Sequence, residues 1–202
     1  MPKIKLIACD MDGTLLDSNK EISKDNIAAV KRLKDAGIYF VIATGRHDSM
    51  IKAYLDELDI EMPVISCNGA MVREPFHDKV FSSTPINREK VLEIAEICHK
   101  HDAIYHVYCH HMIYGEKMNG KMTYYNDRNR ILPERDQINL KVDEDYRNFI
   151  LNTHEELYKV LVLHDEQSEL DKLGAEIHKR TGLNPAQSDK NLIDIMQTGI
   201  TK

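Results

Sequence analysis

No stretch of this chain stays apolar long enough to cross a membrane, which takes about 20 residues. The N-terminal apolar run is also too short for a signal peptide. Tryptophan is absent. The four cysteines, Cys9, Cys67, Cys98 and Cys109, show no CxxC spacing. They read as reduced thiols, which points to a reducing, cytoplasmic setting. Basic charge is in deficit, with 27 Lys and Arg against 33 Asp and Glu, for a net charge of −6. A nucleic-acid binder carries the opposite balance. No repeat or low-complexity linker interrupts the sequence. What is present is an ordinary share of core-forming residues, 42% hydrophobic with 30% charged. A length of 202 residues suits one large domain or two small ones.

The most informative stretch is LIACDMDGTLLDSN, residues 6–19. Ile4, Leu6, Ile7, Ala8 and Cys9 form an apolar run with little alternation, the pattern of a parallel strand buried on both faces. Charge cannot sit inside such a strand, so Asp10 marks its carboxyl end, the edge where open α/β sheets bind ligands. Asp12 follows two residues later, on the same side of an extended chain. Two converging carboxylates repel each other unless a cation relieves them. A hard divalent ion such as Mg²⁺ fits these oxygen donors, so Asp10 and Asp12 are the candidate metal residues. Gly13 permits a tight turn or close backbone approach.

Two further strands end in the same way. A helix capped by Ser23 or Asp25, with Ile27, Val30 and Leu33 inward, stops at Gly37 and leads into IYFVIA, residues 38–43. That strand closes on Thr44, Gly45 and Arg46. A helix with Ile51, Tyr54, Leu55 and Leu58 at helical spacing leads to PVIS, residues 63–66, which closes on Asn68 and Gly69. Alternation of this kind predicts an α/β fold with a doubly wound parallel sheet. The texture changes near residue 84. Asn87 can cap a helix burying Val91, Ile94, Ala95 and Cys98. The aromatic-rich segment 103–125 reads as a β-meander turned at Gly115 and at Asn119-Gly120. A strand over 159–164, a helix running to Gly182 and a pair of strands at LNPAQS and NLIDIM complete an α+β module. The expected division is a core over 1–83, the module over 84–196 and a return to the core over 197–202.

DMDGTLL, at 10–16, resembles the first motif of the haloacid dehalogenase (HAD) superfamily phosphatases. VIATGR, at 41–46, is similar to the second, with Thr44 as its key residue. SCNGAMV, at 66–72, resembles the Asn-Gly loop of the class IIB, Cof-type branch, and the α+β module is similar to that branch's cap. DIMQTGITK resembles the approach to the third motif, which would make Lys202 its lysine. No counterpart of the acidic fourth motif follows, so the resemblance implies a core incomplete at its C-terminus.

The resemblance implies an Mg²⁺-dependent phosphatase of small phosphorylated metabolites, sugar phosphates first. Asp10 would be the nucleophile and metal ligand, and Asp12 the general acid and then base, its backbone carbonyl also on the metal. Thr44 and Gly45 would hold the phosphoryl oxygens, and Lys202 would neutralise charge. Arg46, Asn68 and Gly69 are candidate substrate or phosphate contacts. An incomplete member that binds phosphate without turnover is the alternative. A phospho-receiver module also uses Asp, Thr, Lys and Mg²⁺, but its acceptor sits on the third strand, which here ends in Ser-Cys-Asn. HVYCHH, at 106–111, suggests zinc, yet strand alternation sends His106 and His110 one way and Cys109 and His111 the other. An incomplete core would leave the first strand, residues 4–9, as an apolar edge and a route to self-association.

Overall fold

The computed structural model describes residues 4–200, which fall into two compact units on either side of residues Ser83 and Thr84. In the first unit, β1 (Leu6–Asp10), α1 (Lys24–Asp35), β2 (Tyr39–Ala43), α2 (Lys52–Leu58) and β3 (Val64–Ser66) follow in order. The three strands are parallel. A hairpin of β4 (Met71–Glu74) and β5 (Lys79–Ser83) extends the sheet antiparallel, giving the order β1-β2-β3-β4-β5. Ser23 caps α1, its Oγ accepting from the Asn26 N–H at 3.1 Å. Such a cap contributes about 1 kcal/mol. The apolar faces of the two helices and the strands meet in one core, with Met11, Ile42, Ile51, Leu55 and Val64 almost fully buried.

The sheet corrects two sequence expectations. β1 is not buried on both faces. Among the described residues it forms the sheet edge beside β2, as the expected incomplete core implied, and Leu6 is 51% exposed. An apolar run records what a strand is made for, while its neighbours are set by how many strands are present. The β4–β5 hairpin is an addition, because its short strands are poor in alternation and β5 is largely exposed.

The second unit begins with α3 (Arg88–Lys100), β6 (Ile104–Cys109) and β7 (Ile113–Gly115). Next come α4 (Gly120–Asn129), β8 (Leu140–Val142) and α5 (Tyr146–Asn152). The unit closes with β9 (Leu157–Leu163), α6 (Gln167–Thr181), β10 (Ala186–Asp189) and β11 (Leu192–Met196). Its six-stranded sheet has the order β10-β11-β9-β6-β7-β8. β10 and β11 pair antiparallel, as the two short segments suggested. Side chains from α3, α5 and α6, including Ile94, Ile150 and Leu173, share a core with Val107, Val160 and Ile195 of the sheet. The meander expectation fails after β7. Residues read as a third strand form α4, which buries Met122 and Tyr125 at helical spacing and leaves Tyr124 exposed. Its tyrosines favour strands intrinsically, and packing of one helical face overrides that preference. No helix among the described residues is long and apolar enough to cross a membrane.

Candidate active site

Strand register gathers the candidate residues of the first unit. Asp10, the last residue of β1, lies opposite Ala43, the last of β2, and Ala43 lies opposite Ile65 of β3. The segments that follow the three strands therefore leave from one edge. After β1 the chain turns tightly: the Leu15 and Leu16 N–H groups donate to the Met11 carbonyl at 3.1 and 2.9 Å. Met11 is fully buried and joins the core of the unit. Gly13 takes φ +77° there, a value that suits glycine.

Thr44 is 1% exposed, and its Oγ1 accepts from the Arg46 N–H at 3.1 Å. Its own N–H donates to the Ile65 carbonyl at 2.8 Å. The loops after β2 and β3 are then bonded to each other: Asn68 N–H donates to Thr44 O at 3.0 Å, and Cys67 N–H to Arg46 O at 2.9 Å. Gly45 lets the Asn68 side chain approach closely, since a Cβ there would lie 2.7 Å from Asn68 Oδ1 and make that side chain shift. Cys67, Asn68 and Gly69 have φ of 48°, 57° and 98°. Consecutive left-handed residues are costly outside glycine and mark a segment held by its surroundings. Thr44, Gly45, Asn68 and Gly69 thus occupy one locked double loop beside the end of β1.

Asp12 does not stand as a free carboxylate. Arg46 grips it with a fork, Nε to Oδ2 at 2.8 Å and Nη2 to Oδ1 at 2.7 Å, and Lys20 Nζ reaches Oδ1 at 2.9 Å. The Arg46 hydrogen bonds lower the Asp12 pKa to about 2 against an opposing effect of partial burial, with Lys20 adding to the shift. Arg46, a candidate phosphate contact from sequence, spends its fork on Asp12. Lys202 lies outside the described residues.

The structure adds a second, buried pair next to the locked loop. His47 and Asp48, just after Arg46, are fully buried. The Arg73 guanidinium on β4 meets Asp48 through Nε at 2.7 Å and Nη2 at 2.9 Å, and Asp78 through Nη1 at 2.7 Å. Sequence gave no hint of this pair, because its members are separated by an entire α-β unit. In the second unit, His110 and His111 go to separate partners. His110 Nδ1 is 2.8 Å from the Tyr158 hydroxyl, and His111 Nδ1 is 3.1 Å from Glu155 Oε1. His106 is buried against Gly115 and Gly120.

An acidic strand end, a buried threonine on the neighbouring strand and a glycine-bearing loop meet at this edge, and comparison with known proteins gives a class of hydrolases. The profile of the haloacid dehalogenase-like hydrolase family matches residues 7–202. The chain belongs to that family. It is 25% identical over 206 residues to the pyridoxal phosphate phosphatase YbhA of Escherichia coli, covering 98% of this chain and 72% of that protein. It is 34% identical over 126 residues to the 5-amino-6-(5-phospho-D-ribitylamino)uracil phosphatase YitU of Bacillus subtilis, covering 56% of this chain and 47% of that protein. The solved structure of a subclass IIB sugar phosphatase superposes with a TM-score of 0.74 at 20% identity, covering 98% of this chain and 71% of that one.

Proposed function

We propose that this chain hydrolyses phosphomonoesters of small metabolites, sugar phosphates foremost, through an aspartyl-phosphate on Asp10. The observation that carries the reading is the register: Asp10, Thr44 and the Gly45–Asn68 contact lie at one edge of a parallel sheet. Phosphoryl transfer needs little covalent chemistry from a protein beyond an aligned nucleophile and stabilised charge. An Asp10 carboxylate oxygen attacks phosphorus and the ester P–O bond breaks, with the leaving oxygen taking a proton. Water then attacks the phosphorus of the acyl phosphate, giving up a proton and regenerating the carboxylate.

Thr44 Oγ1 and the Gly45 N–H supply donors for the phosphoryl oxygens, and Asn68 and Gly69 shape the loop beside them. Asp12 is the proton-transfer group. Held ionised by Arg46 and Lys20, it is in the form that accepts a proton from water; to donate one it must first be protonated against their pull. The donor set at the end of β1, the Asp10 carboxylate with the Asp12 backbone carbonyl, is all oxygen and fits Mg²⁺. When bound, that ion would supply charge neutralisation for the approach of an anionic substrate to an anionic nucleophile. We read residues 84–196 as the substrate-selecting cap and assign Lys202 as the charge-neutralising lysine. The distribution of charge and the phosphatase relatives support small-molecule substrates, with no nucleic acid or membrane as partner.

The test is steady-state hydrolysis of p-nitrophenyl phosphate with Mg²⁺ by the full chain and by Asp10→Asn. The expected result is turnover that falls at least about 10³-fold in the variant, with its thermal melt unchanged. Retained turnover in Asp10→Asn removes the nucleophile assignment. Phosphate binding without turnover in the parent chain identifies the non-catalytic alternative.

A further inference from the structure

Four residues of the first unit, Asp12 with Arg46, Tyr54 and Lys20, form a closed ring of contacts. Arg46 holds both oxygens of the Asp12 carboxylate, and Lys20 shares Oδ1 with it. Arg46 carries its guanidinium over the Tyr54 ring, 5.8 Å from the centroid. Tyr54, buried on α2, donates its hydroxyl to the Lys20 backbone carbonyl at 2.9 Å. The ring is therefore continuous: Asp12 to Arg46 to Tyr54 to Lys20 and back to Asp12.

Lys20 is the part of this ring that costs free energy to hold. It takes φ +65°, a conformation that a lysine adopts only when its surroundings enforce it. Asp17 helps to enforce it: its Oδ1 accepts from the Asn19 and Glu21 N–H groups at 2.8 and 3.0 Å, and its carbonyl accepts from the Lys20 N–H at 3.1 Å. A half-exposed ion pair contributes little to stability, so stability does not explain such a construction. Geometry does. A planar fork bound to both carboxylate oxygens fixes the plane of the carboxylate, which a single ammonium cannot do. The aromatic ring fixes the plane of the fork in turn.

We propose that Arg46, Lys20 and Tyr54 are positioning residues that aim the Asp12 carboxylate at the sheet edge, and that Arg46 serves this proton-transfer group rather than the substrate phosphate. The inference rests on the reading of Asp12 given above. It assigns a share in the rate to Tyr54, which touches no reacting group, and to Lys20, which touches only Asp12. Residues that orient a reacting group lower kcat when removed and leave KM nearly alone. Residues that bind the phosphate raise KM.

Two measurements test this. The first is the Nε–Hε resonance of Arg46 in the ¹⁵N-labelled full chain, assigned by its loss in Arg46→Lys. It is expected to be protected from solvent exchange and unmoved by inorganic phosphate, and to exchange about tenfold faster or more in Asp12→Asn, where the charge-assisted bond is lost. A resonance that moves with phosphate and ignores Asp12→Asn overturns the proposal. The second is hydrolysis of p-nitrophenyl phosphate by Lys20→Ala and Tyr54→Phe, two changes that keep the buried ring of Tyr54 in place. Each is expected to lower kcat by about 10- to 100-fold, the usual cost of an outer-shell partner, with KM within about threefold. Unchanged kcat or a rise in KM alone overturns it. A parent chain without turnover refutes the proposed function, while the Arg46 resonance still decides the ring.

Discussion

His106 is a buried side chain whose two ring nitrogens both lack a hydrogen-bond partner. A Cβ on Gly115 or Gly120 would come within 3.0 Å of one or the other nitrogen, so the imidazole is enclosed by backbone on both sides. Burial pushes its pKa down to about 4, and nearby backbone groups of Tyr105 and Asn119 offset only part of that. The sign of the pH effect follows. Above pH ~6.5 the imidazole is neutral in folded and unfolded chains alike. Between there and pH 4 the unfolded chain binds a proton that the folded chain refuses, so stability falls as pH falls. Denaturant unfolding at pH 7 and pH 5 should show the parent losing about 2 kcal/mol more than His106→Ala over that interval. Equal losses in the two proteins would mean that His106 finds a proton acceptor on folding. The residue scale is also where sequence was least legible. A carboxylate closing an apolar strand announces itself, as at Asp10. The fork of Arg46 on Asp12 and that of Arg73 on Asp48 do not, because spacing along a chain says nothing about contacts across 25 or 34 residues.

Elements whose signal is local were readable. Ser23 caps α1 and Asn87 caps α3 with the expected hydrogen bonds, and each helix buries the face that its periodicity marks. β9 and β11 are mostly apolar, with one buried charge each at Lys159 and Asp194, and are legible within a few residues. α4 was misread because its tyrosines and a preceding Asn-Gly imitate a hairpin. β8 is three residues long and was missed. The position of β1 is a property of the sheet and not of the strand, and it leads to a test. Among the described residues its outer side has no strand partner, and Leu6, Ile4 and neighbouring Tyr39 are more than half exposed. β9, by contrast, lies between β11 and β6 with nearly every residue buried. Hydrogen exchange should therefore be faster for the amides of Leu6–Asp10 than for those of Leu157–Leu163. The same edge is our proposed route to self-association, so protection of β1 should rise with protein concentration. A β1 as protected as β9 in dilute solution would show that the edge is covered in some other way.

Over the whole chain, the parallel order of β1, β2 and β3 puts three strand ends together, and that single topological fact assembles the candidate site. The second unit is built on its own sheet and core. The alternation of strands and helices made the first unit legible in outline, whereas the expected return to the core over 197–202 does not appear in its described part, since 197–200 belong to the second unit. The account as a whole stands on one covalent event, and that event can be trapped. The chain is mixed with Mg²⁺ and a small phosphodonor such as acetyl phosphate, quenched in acid, and treated with borohydride, which reduces an aspartyl-phosphate to homoserine. Peptide mass spectrometry then locates the modified residue. The account predicts homoserine at position 10, dependent on the phosphodonor and absent in Asp10→Asn. Homoserine at another aspartate, or none at position 10 while the chain turns over substrate, would contradict it.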